Sequence, residues 1–154
     1  MDYKKLSIED AAVQGMAVAS HAASRPNDIA VRDMLGGQIT WQELNSAANK
    51  LANFFLGLGL QYDDGVALLC SNRVEFAIVL AATQRTGMRI TPINWHLTEE
   101  EVSYIVDNSD AKVFIAEAKY KASAEFTANE NRELLSCLSI GGKISNFSDF
   151  HAAI

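Results

Sequence analysis

A chain of 154 residues, 49% hydrophobic and 21% charged, has the size of one domain, enough apolar mass for a sizeable core and too little charge for a disordered chain. Its formal net charge of −6 argues against a nucleic-acid partner, because phosphate binding needs a positive field. The apolar runs Val66 to Cys70 and Phe76 to Ala82 fall far short of the roughly 20 residues needed to cross a bilayer, so no transmembrane segment is expected.

The opening stretch, Met1 to Met16, lacks the apolar core of a signal peptide. Residues 11–24 are alanine-rich and helix-prone, and Arg25-Pro26-Asn27-Asp28 reads as a turn. Two short β-prone runs, 29–34 and 38–41, flank Gly36-Gly37 and predict a hairpin. Thr40 with Glu43 forms a capping box that opens a helix. Its stripe is Leu44, Ala47, Ala48, Leu51, Phe55 and Leu58, and Gly57 or Gly59 ends it.

A regular alternation follows. The continuous apolar run 66–70 predicts a strand buried on both faces. Asn72 is then the expected cap of an almost uniformly apolar helix that runs to Arg85 and stops at Gly87. A strand is expected over 89–93. Thr98 and Glu101 make a second capping box, and Glu99, Glu100 and Glu101 complement the helix dipole. Val102, Ile105 and Val106 are the buried stripe of that helix. A strand over 112–116, a surface helix within 117–134 and a fourth parallel strand over 135–140 complete the pattern, which Gly141-Gly142 breaks. Even βα spacing implies a largely parallel sheet between helical layers, a three-layer α/β sandwich in a single domain spanning 1–154. In the tail, Phe147 and Phe150 have no obvious partner within the chain. They are expected to be exposed anchors for self-association.

Chemistry-bearing motifs are sparse. There is no Walker loop and no GxSxG, and His21, His96 and His151 show no metal-ligand spacing, so neither catalytic residues nor a metal site are assigned. Gly57-Leu58-Gly59 follows a helix and has Tyr62 where a dinucleotide fingerprint needs its third glycine; it reads as a helix stop. The glutamates 99–101 read as a solvated helix start. Cys70 and Cys137 each sit in an apolar run far from the other, as reduced core thiols of a cytoplasmic protein do. Asn146-Phe147-Ser148 matches a glycosylation sequon by chance. Lys119 and Lys121 form a small basic pair near a strand's C-terminal end, where open α/β sheets hold ligands, although solvated surface lysines fit the same pattern.

As a string, residues 39–117 carry three signatures in order: ITWQELN; LGLQYDDGVALLCSNRVEFAIVLAATQRTGM; and PINWHLTEEEVSYIVDNSDAKVFI. Together they resemble the start of the adenylate-forming superfamily of AMP-dependent synthetases and ligases. Asn94-Trp95-His96-Leu97 most resembles the fatty-acyl-CoA synthetase branch. The resemblance implies the N-terminal subdomain of that fold and, for an intact enzyme, ATP, Mg2+ and coenzyme A. Such an enzyme activates a carboxylic acid, here a fatty acid, as an acyl-adenylate and transfers it to coenzyme A. It also implies that Lys121 and Lys119 offer cations to coenzyme A phosphates and that Trp95 and His96 border its pantetheine arm, although some relatives have glycines at those two positions.

In the family a phosphate loop ending in Pro-Lys-Gly follows a segment like SNFSDFHAAI. The sequence stops short of that loop and of the later catalytic lysine. A truncated fragment, inactive alone and binding none of these cofactors tightly, is therefore the expectation. A standalone binding or assembly module that keeps the ligase scaffold, or one half of a split ligase, is the alternative.

Overall fold

The computed structural model describes residues 7–154. Met1 to Leu6, part of the stretch read as lacking a signal-peptide core, lie outside the described residues. The alanine-rich segment falls in two helices, α1 (Ile8–Val13) and α2 (Ala17–Ser24). Gly15 separates them in the left-handed region (φ 69°), so close to the helix behind it that a Cβ would lie 2.2 Å from the Gln84 carbonyl oxygen. Only glycine tolerates both the dihedral and the approach.

The hairpin is present as β1 (Ile29–Arg32) and β2 (Gln38–Thr40), paired antiparallel. Thr40 caps α3 (Trp41–Gly57) with both halves of the box in place: the Glu43 amide donates to Thr40 Oγ1 at 3.2 Å, and the Thr40 amide donates to the Glu43 carboxylate at 2.9 Å. α3 buries Leu44, Ala48, Leu51, Ala52 and Phe55, at the spacing of one helical face. Full burial of a side chain such as Phe55 contributes about 1.5–3 kcal/mol.

The sheet follows the predicted alternation. β3 (Gly65–Leu69), α4 (Val74–Thr86), β4 (Arg89–Pro92), α5 (Glu99–Asn108), β5 (Ala111–Glu117), α6 (Lys121–Glu130) and β6 (Ser136–Ile140) occur in that order. A 3-10 turn at Ala118–Tyr120 opens the way into α6, so the surface helix expected within 117–134 is shorter than the segment that suggested it. Sequence reading missed the two-residue strand β7 (Ser148–Asp149) and the short helix α7 (Phe150–Ala153). The strands lie in the order β4-β3-β5-β6-β7, all parallel.

Alternate residues of each central strand feed two cores, as strand geometry requires. Val66, Leu68, Val113, Ile115, Leu138 and Ile140 pack on one face with Leu51 and Phe55 of α3 and Ile78, Val79 and Ala82 of α4. Ala67, Leu69, Phe114 and Ala116 pack on the other with Val102 and Val106 of α5 and Ala124 of α6. The three-layer arrangement is thus the expected one.

Two expectations are corrected. Phe150 is not an exposed anchor: it is fully buried in the first core, and half-buried Phe147 meets Phe114 edge-on, with ring centroids 5.9 Å apart. The large apolar side chains that do face solvent are elsewhere, among them Val13, Met34, Leu35, Tyr62 and Tyr104. Nor does Asn72 cap α4. Its N-cap is Arg73, which makes no side-chain cap hydrogen bond. The cap comes from the hairpin loop 41 residues away, where the Asp33 carboxylate accepts the Val74 amide at 3.3 Å while also holding the Leu35 and Gly37 amides. A capping residue so distant in sequence leaves no local signal.

Candidate functional site

The strand order fixes where a site can form. From β3 the chain steps to one side, to β4, and then returns across β3 to β5 on the other. The crossovers through α4 and α5 therefore lie on opposite faces, and the crevice beyond the C-terminal ends of β3 and β5 is the topological switch point where open α/β sheets bind ligands. Three groups of residues gather at this edge.

The first includes most of the residues singled out from sequence. The loop after β4 carries Trp95 and His96, and the turn after β5 carries Lys119 and Tyr120. Trp95 stacks on Tyr120 with centroids 6.3 Å apart and ring planes 20° from parallel. His96 lies against Trp95 at 5.6 Å, and Lys119 Nζ stands 5.6 Å from the centre of the Tyr120 ring. Trp95, His96 and Lys119 are thus joined through Tyr120, a residue the sequence reading passed over. The structure does not bring Lys121 into this ladder. It is exposed at the first position of α6, where its charge helps lower the pKa of Glu125, after the Ser145 side chain and amide.

The second group is a buried ion cluster that no motif announced. Glu75, in the first turn of α4, is 3% exposed, yet it carries a carboxylate. Arg73 grips it with two nitrogens, Nε at 3.1 Å and Nη2 at 3.2 Å, and reaches Glu117 at the end of β5 with Nη1 at 3.5 Å. Glu117 also accepts the Ser71 amide at 3.0 Å, and His151 of α7 lies 3.0 Å from Glu75 Oε1 through Nε2. Burial alone would raise the Glu75 carboxyl, but Arg73, its own amide and His151 outweigh burial and hold it below the ordinary value. The Gly141 turn lies against the same guanidinium: a Cβ there would approach Nη1 to 3.1 Å.

Between the two stand Cys70 and the Tyr120 hydroxyl. Burial, with Glu117 and Glu75 close by, pushes the Cys70 thiol up to about 12, so it is not a nucleophile. Burial, Glu117 and Cys70 also raise the Tyr120 phenol, whose oxygen is buried without a hydrogen-bond partner. That unpaired donor and acceptor, between an aromatic stack and a carboxylate, is suited to a bound polar group.

The aromatic faces and nearby lysines fit a nucleotide-bearing ligand such as coenzyme A, since bases stack on aromatic rings and lysines attract phosphate. Among the described residues no three His, Cys, Asp or Glu side chains are grouped to hold a metal ion. Among the same residues no helix is long and apolar enough to cross a membrane.

Residues 18–149 match the AMP-binding enzyme family. The chain belongs to that family. Among its relatives is the medium/long-chain-fatty-acid–CoA/3-oxocholest-4-en-26-oate–CoA ligase of Mycobacterium tuberculosis, 35% identical over 83 residues, which are 54% of this chain and 15% of the relative. The uncharacterized protein Rv1549 of the same organism is 31% identical over 100 residues, 64% of this chain and 57% of that one. A solved structure of a Mycobacterium tuberculosis fatty acyl CoA synthetase superposes with a TM-score of 0.70 at 26% identity, covering 88% of this chain and 26% of that chain. The match to the ligase thus spans about a seventh of that enzyme's length.

Proposed function

We propose that the chain is part of an ATP-dependent, AMP-forming acid–CoA ligase acting on a fatty acid, and that the edge formed by Trp95, His96, Lys119, Tyr120 and Lys121 is its coenzyme A side. The observation that carries this reading is the joining of Trp95, His96 and Lys119 around Tyr120 at the sheet's C-terminal edge, in a chain of the AMP-binding family. The names of the similar ligase and synthetase support the acid-to-CoA chemistry and the fatty substrate. In that chemistry ATP makes the carboxylate reactive by giving it AMP as a leaving group. The contribution assigned to this chain is to orient coenzyme A, through aromatic faces for its base or pantetheine arm and lysine charge for its phosphates. A cytoplasmic location fits such a role.

The test needs this chain joined to the downstream part of a related ligase. Lys121→Glu is expected to raise the KM for coenzyme A roughly tenfold, the loss of one charge-assisted phosphate contact of ~1–2 kcal/mol. ATP–pyrophosphate exchange should hold at the parent rate, because adenylation precedes thiol binding. Equal damage to both half-reactions would assign Lys121 a structural role, and no effect on either would leave it a solvated lysine. The chain by itself is expected to give only background exchange with fatty and aryl acids; acid-dependent exchange would refute that.

A second reading, a binding or assembly module on the ligase scaffold, is favoured by one observation. The 100 residues matched in Rv1549 already make up 57% of that protein, so a relative of this chain is itself short. Coenzyme A binding to the 154-residue chain without any exchange activity would favour the module.

A further inference from the structure

The ion cluster at the switch point holds more negative than positive charge. Two buried carboxylates, Glu75 and Glu117, share the single guanidinium of Arg73. The hairpin carboxylate of Asp33, on the Val74 amide at the head of α4, adds a further negative charge that Arg73 also feels. Cys70 stays a neutral thiol and Tyr120 a neutral phenol, so neither adds to the excess negative charge. The remaining group in hydrogen-bonding contact with the cluster is His151, 3.0 Å from Glu75 and 57% exposed, hence able to exchange protons with solvent. Its ring is held edge-on against buried Phe150 at 5.2 Å, which aims Nε2 at the carboxylate. Asp149, beside it in sequence, is engaged in capping α7 through the Ala152 amide.

We propose that His151 and Glu75 form a pH-sensitive latch on the C-terminal segment 148–154. As a neutral ring the imidazole offers the cluster only a neutral hydrogen bond; with a proton added in acid it brings a positive charge and the contact becomes charge-assisted. The latch holds more than a helix. α7 follows β7, which covers the outer edge of β6 through only two residue pairs, Leu138 with Ser148 and Ser139 with Asp149. Release of α7 therefore loosens β7 and bares a strand edge open to pairing with another chain. Acidification tightens the sheet's end and alkaline conditions loosen it. This inference does not depend on the ligase reading.

Hydrogen exchange of the 154-residue chain, corrected for the intrinsic pH dependence of exchange, tests the latch directly. Protection across 148–154 is expected to rise about three- to tenfold from pH 8 to pH 5.5, as a neutral hydrogen bond becomes charge-assisted. His151→Gln keeps a donor but cannot take a charge, and its protection should be flat with pH. His151→Lys carries a fixed charge and should hold the protected level throughout. Both substitutions are at an exposed side chain, and amides of β5 serve as the control for global folding. A pH-independent profile in the parent chain, or an undiminished slope in His151→Gln, would overturn the proposal.

Discussion

At the scale of single residues the environment, more than the residue type, decides chemistry. The two cysteines show this. Burial, together with two nearby carboxylates, moves the Cys70 thiol up to about 12, and burial alone moves Cys137 to about 11. Thiolate is the reactive form, so both are expected to resist a maleimide at pH 7.5 in the native chain and to react promptly in denaturant. Titration with a chromogenic thiol reagent, with and without guanidinium, checks this; one fast-reacting thiol in the native state would mean that its site opens locally. Tyr120 shows the other side of the same rule. Nothing in its sequence neighbourhood distinguishes it from a surface tyrosine, yet its ring joins the two loops that carry Trp95 and Lys119.

At the scale of elements, the parts written locally in the chain were legible and the parts made by distant pairing were not. Both capping boxes, the helical stripe of α3 and the apolar runs of β3 and β5 depend on residues within a few positions of one another, and each formed where expected. The cap of α4, by contrast, is Asp33 from the hairpin, and the cluster around Arg73 draws on residues 73, 75, 117 and 151. No window of sequence contains such a set. Glu75 in particular looks like an acidic first-turn residue of a helix, and only the fold shows it to be buried. The aromatic–lysine ladder was half legible. Lys119 was marked by its place after a strand's C-terminal end and the Trp-His pair by the family pattern, while Tyr120 was not marked at all.

The tail illustrates the same boundary. Phe147 and Phe150 looked unpartnered because only the fold brings Phe114 of β5 to Phe147 and seats Phe150 in the core formed by α3, α4 and the sheet. Since Phe150 is fully buried, Phe150→Ala should destabilise the fold by about 3–5 kcal/mol, through lost apolar transfer and the cavity left behind. Phe147→Ala, at a half-buried site, should cost clearly less. Urea unfolding of the two variants compares them. Equal and small effects would mean that α7 contributes little to the core.

At the scale of the whole molecule, the cluster ties together elements that the sheet alone leaves separate: the head of α4, the end of β5 and the C-terminal helix. Its charge state should therefore be visible in the pH dependence of global stability. Glu75 is held below its ordinary value of 4.5, with burial opposing and Arg73, its own amide and His151 prevailing. A carboxyl with a depressed folded-state pKa contributes stability that is fully present above its unfolded value and is lost as pH falls through the folded one. The chain should thus keep its stability down to about pH 4.5 and lose it steeply below. Asp33, Glu43 and Glu125 are shifted in the same direction and add to that slope. Glu75→Gln removes one buried anion from beside Arg73 and should cost less at pH 7 than the ~3–5 kcal/mol of a broken buried pair, because Arg73 keeps Glu117, is itself partly exposed, and the cluster loses part of its excess negative charge. The same variant should lose less of its remaining stability between pH 4.5 and 3, since the proton that the parent must take up at position 75 is no longer counted. Thermal unfolding followed by circular dichroism across pH 3–8 measures both effects. A Glu75→Gln curve parallel to the parent's in acid would show that the Glu75 carboxyl titrates alike in the folded and unfolded chains, and would overturn its being held below the ordinary value by Arg73 and His151.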